Sequence, residues 1–92
     1  MRIRWTDPAA RDLTNVCDYS QEHNGPEAAR KLALRIYELI GSLEKFPHLG
    51  REGRKTETRE LVISGTPFLA VYRFHNEVIE IARILHGAQK WP

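Results

Sequence analysis

Ninety-two residues suffice for one core and leave no room for a second, so residues 1–92 are expected to form a single domain. The chain is 41% apolar and 28% charged, as in ordinary globular proteins, and its net charge of +2 excludes a global basic field aimed at nucleic acid. The lone cysteine, Cys17, excludes an intrachain disulfide. No apolar run marks the N-terminus as a signal peptide, and nothing approaches the ~20 apolar residues of a membrane span. A cytoplasmic location is the expectation.

Met1 to Trp5 alternates apolar with Arg2 and Arg4, which predicts a half-buried strand. Thr6-Asp7-Pro8 reads as a helix start, with Thr6 or Asp7 as cap and Pro8 in the first turn. The first helix should run from Pro8 to His23, with Ala9, Leu13, Val16, Cys17 and Ser20 on its inner stripe. Asn24-Gly25-Pro26 ends it and opens the next. Ala29, Leu32, Ala33, Ile36, Leu39, Ile40, Leu43 and Phe46 keep the helical period to Phe46, where Pro47 stops it. So short a link makes the two helices an antiparallel hairpin.

His48 to Thr58 is polar and carries Gly50 and Gly53, so it reads as a long loop. Strands are expected at Arg59 to Ile63, Phe68 to Phe74 and Val78 to Leu85. The middle one is apolar on both faces, as a central strand would be. His75-Asn76-Glu77 is a tight hairpin connection. The order β-α-α-β-β-β predicts an α+β fold of two layers. The helical hairpin packs on one face of a small, mainly antiparallel sheet, and the opposite face is left open as a groove.

Several residues could carry chemistry. His86 could serve as an acid or base, although a strand-end histidine bonded to backbone is the simpler reading. Arg83 could bind phosphate through its fork, or pair with Glu60 or reach solvent, since strict alternation sets it with Ile79, Ile81 and Leu85 and apart from Glu80 on the last strand. Between Lys45 and Arg59 five cations face two anions, and Arg51, Arg54, Lys55 and Arg59 could grip a nucleic-acid backbone or simply solvate a loop. Trp5 and Trp91 could be stacking platforms, but capping the core and tucking the tail is the preferred reading. The histidines and the cysteine have no zinc spacing, and no phosphate-binding glycine motif or nucleophile elbow is present, so neither metal nor cofactor is expected.

The residues taken together resemble the RelE/ParE-type toxins of bacterial toxin–antitoxin modules. The matching features are Ile3-Arg4-Trp5-Thr6 with Ala9, Asp12 and Leu13; Ala29; Phe46-Pro47 and Gly50-Arg51; and Thr58-Arg59-Glu60-Leu61-Val62. They continue through Pro67-Phe68, Val71-Tyr72-Arg73, and Ile81 to Gln89 with Trp91-Pro92, so the likeness spans the chain. It implies a small toxin silenced by an antitoxin from the same operon, with one of two activities. RelE-like members cut messenger RNA on the ribosome, and ParE-like members poison DNA gyrase. Ribonuclease members carry an arginine just before a Leu-Val-Tyr run, where this chain has Leu69. An RNA site here would draw on His86, Arg83 and Arg59. The Ile-Leu-His ending and the well-separated helices resemble the ParE branch, whose target contacts would fall on Arg51, Arg54, Lys55, Gln89, Lys90 and Trp91.

Overall fold

The computed structural model describes residues 1–92. Strand β1 (Arg2–Trp5) leads into helix α1 (Asp7–Asn24), and α2 (Pro26–Gly41) follows directly. Four further strands complete the chain: β2 (Arg51–Glu52), β3 (Arg59–Val62), β4 (Phe68–His75) and β5 (Val78–His86). They form one five-stranded sheet in the order β1-β5-β4-β3-β2, antiparallel except where β1 lies parallel to β5. The α+β architecture expected from the sequence is the one observed.

Thr6 caps α1, its hydroxyl accepting from the Ala9 N–H at 3.1 Å. The same hydroxyl donates to the Ala82 carbonyl at 2.9 Å, so the cap also ties the helix start to β5. The inner faces of both helices close over the sheet. Ala9, Leu13, Ile36, Ile40 and Leu43 are buried with Leu61, Ile63, Ala70, Tyr72, Ile79, Ile81 and Ile84 in one cluster. Leu32, Leu39, Val16, Cys17 and Trp5 pack on its margin, Trp5 against the ring of Tyr37.

The structure departs from the sequence reading in two elements. Helix α2 stops at Gly41, and Ser42–Glu44 continues as a tighter 3-10 turn. Leu43 nevertheless stays fully buried, which is why the apolar period ran on past the helix. The supposed loop from His48 to Thr58 contains β2, which pairs with Arg59 and Glu60. Gly50 makes this approach possible, since a Cβ there would lie 2.7 Å from the Tyr72 ring. Its N–H donates to the Tyr72 hydroxyl at 2.9 Å, and that hydroxyl donates to the Pro47 carbonyl at 2.7 Å. At the β4–β5 hairpin, Asn76 and Glu77 both take positive φ, the conformation a two-residue turn of this hand requires.

The second face of the sheet is not left open. Leu69, Val71 and Leu85 form a smaller buried cluster there, and Ala82 and Trp91 pack over it. A central strand apolar on both faces needs a cover on both, and the C-terminal tail supplies the second.

Candidate functional site

The outer face is where the sequence-selected residues gather, and a β-bulge decides how. Tyr72 pairs with Ile81 but Val71 pairs with Arg83, so Ala82 is an extra residue on β5. The bulge reverses the alternation. Ile79, Ile81 and Ile84 face the helices, while Leu85 joins Leu69 and Val71 on the outer face. Arg83, paired with Val71, sits on the outer face with Leu85, not with Ile79 and Ile81 as strict alternation predicted.

Its partner is neither Glu60 nor solvent but Asp12 of α1. The Arg83 guanidinium donates to both Asp12 oxygens, at 2.7 and 3.1 Å, and the Ile84 N–H donates to the same carboxylate at 3.0 Å. The cause lies in strand length. β1 ends at Trp5, opposite Ile81, so the edge of β5 beyond that point has no neighbouring strand. Asp12 supplies the missing acceptor and takes the nearest cation with it. This hydrogen bonding raises the Arg83 pKa further.

Glu60 has other partners. Its side chain is 1% exposed, accepting from Arg51 Nη2 at 3.2 Å, from the Arg54 N–H at 3.0 Å and from Arg54 Nε at 3.1 Å. Burial alone would push this carboxyl up, but the bonds from Arg54 and Arg51 hold it below the usual glutamate range. Arg51 and Arg54 are therefore not simply solvated. The loop they begin closes tightly, with the Gly53 N–H donating to the Thr58 carbonyl at 2.8 Å.

The tail meets this loop. After β5 the chain turns, the Gln89 N–H donating to the His86 carbonyl and the Gln89 side chain accepting from the His86 N–H. Arg54 Nη1 reaches the Gln89 carbonyl at 3.4 Å. Lys55 Nζ lies 5.7 Å, and the Arg83 guanidinium 5.8 Å, from the centre of the Trp91 ring, within cation–π range. The structure thus brings Arg51, Arg54, Lys55, Arg83, Gln89 and Trp91 together, with Lys90 exposed beside them. Trp91 packs on the apolar cluster, and Trp5 borders the main core, as the preferred reading of each expected.

Arg59 and His86 stand apart. Arg59 donates to the carbonyls of Gly50 at 2.9 Å and His48 at 3.2 Å. It borders a cleft with Glu52, Glu57, Thr58, Arg73, Phe74 and His75, towards the end of the sheet that carries the β4–β5 hairpin. Arg59 pairs with Tyr72, and His86 with Phe68 four residues away along β4 on the opposite neighbouring strand. Their Cα atoms are accordingly roughly 16 Å apart. His86 is exposed, its ring edge-on to Phe68 and its Nδ1 accepting from the Ala88 N–H. Phe68 packs on the helix-side cluster, so His86 and Arg83 belong to opposite faces.

Elsewhere, Glu80 is bonded by Arg4 and by Arg73, which hold its carboxyl below the usual range. Burial, then the charge of Asp18, pushes the Cys17 thiol up, which makes it a poor nucleophile at neutral pH. No three His, Cys, Asp or Glu side chains converge as metal ligands would, and no helix is long and apolar enough to cross a membrane.

Sequence reasoning missed Asp12 as the partner of Arg83 and Glu60 as the hub of the loop. A signal for the first did exist: β1 has four residues and β5 nine, so part of one edge had to find an acceptor elsewhere.

Known proteins resemble this chain in sequence and fold. The family described as the ParE toxin of the type II toxin–antitoxin system parDE matches residues 3–91. Y4kP of Sinorhizobium fredii is 40% identical over 91 residues, which is 99% of this chain and 93% of that protein. Toxin RelE2 of Caulobacter vibrioides is 35% identical over 88 residues, 96% of this chain and 97% of that one. The solved chromosomal ParDE TA system from P. aeruginosa superposes with a TM-score of 0.88 at 32% identity, covering 94% of this chain and 95% of that chain. With the family matched from β1 to the Trp91 tail and the fold shared throughout, this chain belongs to the ParE toxin family, within the RelE/ParE superfamily of type II toxin–antitoxin toxins.

Proposed function

We propose that this toxin acts by binding and poisoning DNA gyrase rather than by cutting RNA, and that a cognate antitoxin from the same operon silences it. The observation that carries this reading is the separation of Arg59, Arg83 and His86. Cleavage by 2′-hydroxyl attack needs a base, an acid and cations at one phosphate. Here Arg59 is engaged with backbone carbonyls at one end of the sheet, Arg83 is neutralised by Asp12, and His86 belongs to the other face. Leu69, where ribonuclease members have an arginine, is 3% exposed inside an apolar cluster. What the outer face does offer is a contact surface: the basic loop at Arg51, Arg54 and Lys55, joined to Gln89, Lys90 and Trp91. Such a surface works by complementarity and needs no acid–base pair.

The antitoxin has its own ground to cover. Leu34 and Tyr37 on α2 are 48% and 54% exposed, Phe46 beyond it is 61% exposed, and β1 is an edge strand with one unpaired side. A partner segment that is disordered alone would fold along the helices and the sheet edge, as a helix or an added strand. Failure to bind the neighbouring operon product at micromolar concentration would remove this part of the reading.

The test of the target is expression without antitoxin, alongside a supercoiling assay with purified gyrase. DNA breaks, filamentous cells, intact messages and inhibited supercoiling are expected, and His86→Gln should leave all four unchanged. Cleaved messages with supercoiling untouched would overturn the reading in favour of a RelE-like ribonuclease acting on the ribosome.

A further inference from the structure

We propose that the C-terminal tail is a strap over the outer face, fastened by the loop of residues 50–58, and that Glu60 is the positioning residue that holds the fastening shut. Its consequence for activity rests on the gyrase reading above; the strap itself does not.

Glu60 is 2% exposed and cannot touch a macromolecular partner, yet its carboxylate collects three N–H donors from two arginines of the loop. One oxygen binds both the main chain and the side chain of Arg54, which fixes where that residue points. The remaining reach of the guanidinium goes to the Gln89 carbonyl, and the next residue, Lys55, lies over Trp91. From the α1 side, Arg83 approaches the same ring while Asp12 holds it. Apart from the Gly87 N–H, which donates to the Pro67 carbonyl at 2.8 Å, the tail's polar and cationic contacts beyond its own turn come from groups that are held by a carboxylate or belong to the loop Glu60 anchors.

The closing is built to be reversible. The Trp91 indole N–H is buried with no protein group to accept from it, so the closed tail lacks a hydrogen bond that the open tail makes to solvent. Only three buried residues lie beneath it. A permanent strut would satisfy its donor and cover a larger cluster. Opening lets water reach the indole N–H and uncovers Leu69, Val71 and Leu85. In the closed state the loop cations and the tail form one rigid contact unit, so a residue that never meets the target governs how the target is met.

Hydrogen exchange at the two indole N–H groups, followed by NMR and assigned with Trp91→Phe, tests this. In the parent, the Trp91 N–H should be protected. In Glu60→Gln it should exchange many-fold faster, while the amides of α1 and α2 keep their protection; Glu60→Asp should restore part of the difference. Unchanged Trp91 protection in folded Glu60→Gln would overturn the strap. Should that variant not fold, Arg54→Ala and Lys55→Ala, both at the surface, take its place with the same expected and overturning results. In the supercoiling assay, Glu60→Gln should lose as much inhibition as Trp91→Ala, and the double variant should lose no more; additive losses would overturn the single-unit claim. A parent that does not inhibit gyrase would defeat the gyrase reading alone, because the exchange measurement still decides the strap.

Discussion

The two faces of the sheet are closed by different means. On one, a helical hairpin builds a cluster of twelve buried apolar residues. On the other, one indole covers three, ion pairs centred on Glu60 and Asp12 flank it, and a further pair centred on Glu80 lies towards the hairpin end of the same face. Apolar burial scales with area at about 25 cal/mol per Å² and has no preferred direction, so the helix side supplies most of the stability. Half-exposed ion pairs add about 0–1 kcal/mol each, but they fix direction. The helix side makes the molecule fold, and the outer side sets which groups it presents.

If that division is right, the largest loss should come from the helix side. Ile36→Ala, at a fully buried position, should cost about 2–5 kcal/mol in urea unfolding. A loss below about 1 kcal/mol would move Ile36 out of the core and erase the contrast. Asp12→Ala comes next, at about 1–3 kcal/mol, because it strands the Ile84 N–H and leaves Arg83 unpaired. Asp12→Asn should recover part of this, as an amide oxygen can still accept. Equal losses for the two variants would mean that charge alone matters at that edge.

Acid should act on the outer face first. The Glu60 and Glu80 carboxyls are held below their unfolded value of about 4.3. Their contribution is therefore complete above that pH and is lost as pH falls through the lower folded values. Unfolding midpoints measured from neutral pH downward should drop in that window, and Glu60→Gln should flatten the drop without abolishing it, since Glu80 remains. An identical acid limb in parent and variant would show that Glu60 does not titrate with folding. The smallest effect belongs to Arg73→Ala, at under about 1 kcal/mol, because this side chain is 54% exposed and Glu80 keeps Arg4. High salt should erase even that difference.

The same division explains what could be read without a structure. Ala29, Ile36, Ile40 and Leu43 recur with the helical period, and Asn76-Glu77 sits between two apolar strands. Such signals lie in neighbouring residues, so the helical hairpin, the strands β1, β3, β4 and β5, and the two-layer α+β fold were legible. So was the family, because its residues recur in fixed order along the chain. The partner of Arg83 was not legible. It is 71 positions away, and the face Arg83 occupies depends on a bulge at Ala82 that strict alternation cannot reveal. Nor could the loop cations be sorted into paired and free, since that required knowing that Glu60 is buried and that β2 lies beside it. The amino-acid sequence by itself determined the elements and their layers, because local periodicity dictates which face of each element must leave water. The tertiary structure alone decided which charges meet and what covers the outer face, because a salt bridge or an indole over a distant strand depends on register, bulges and strand length, which exist only once the sheet is assembled.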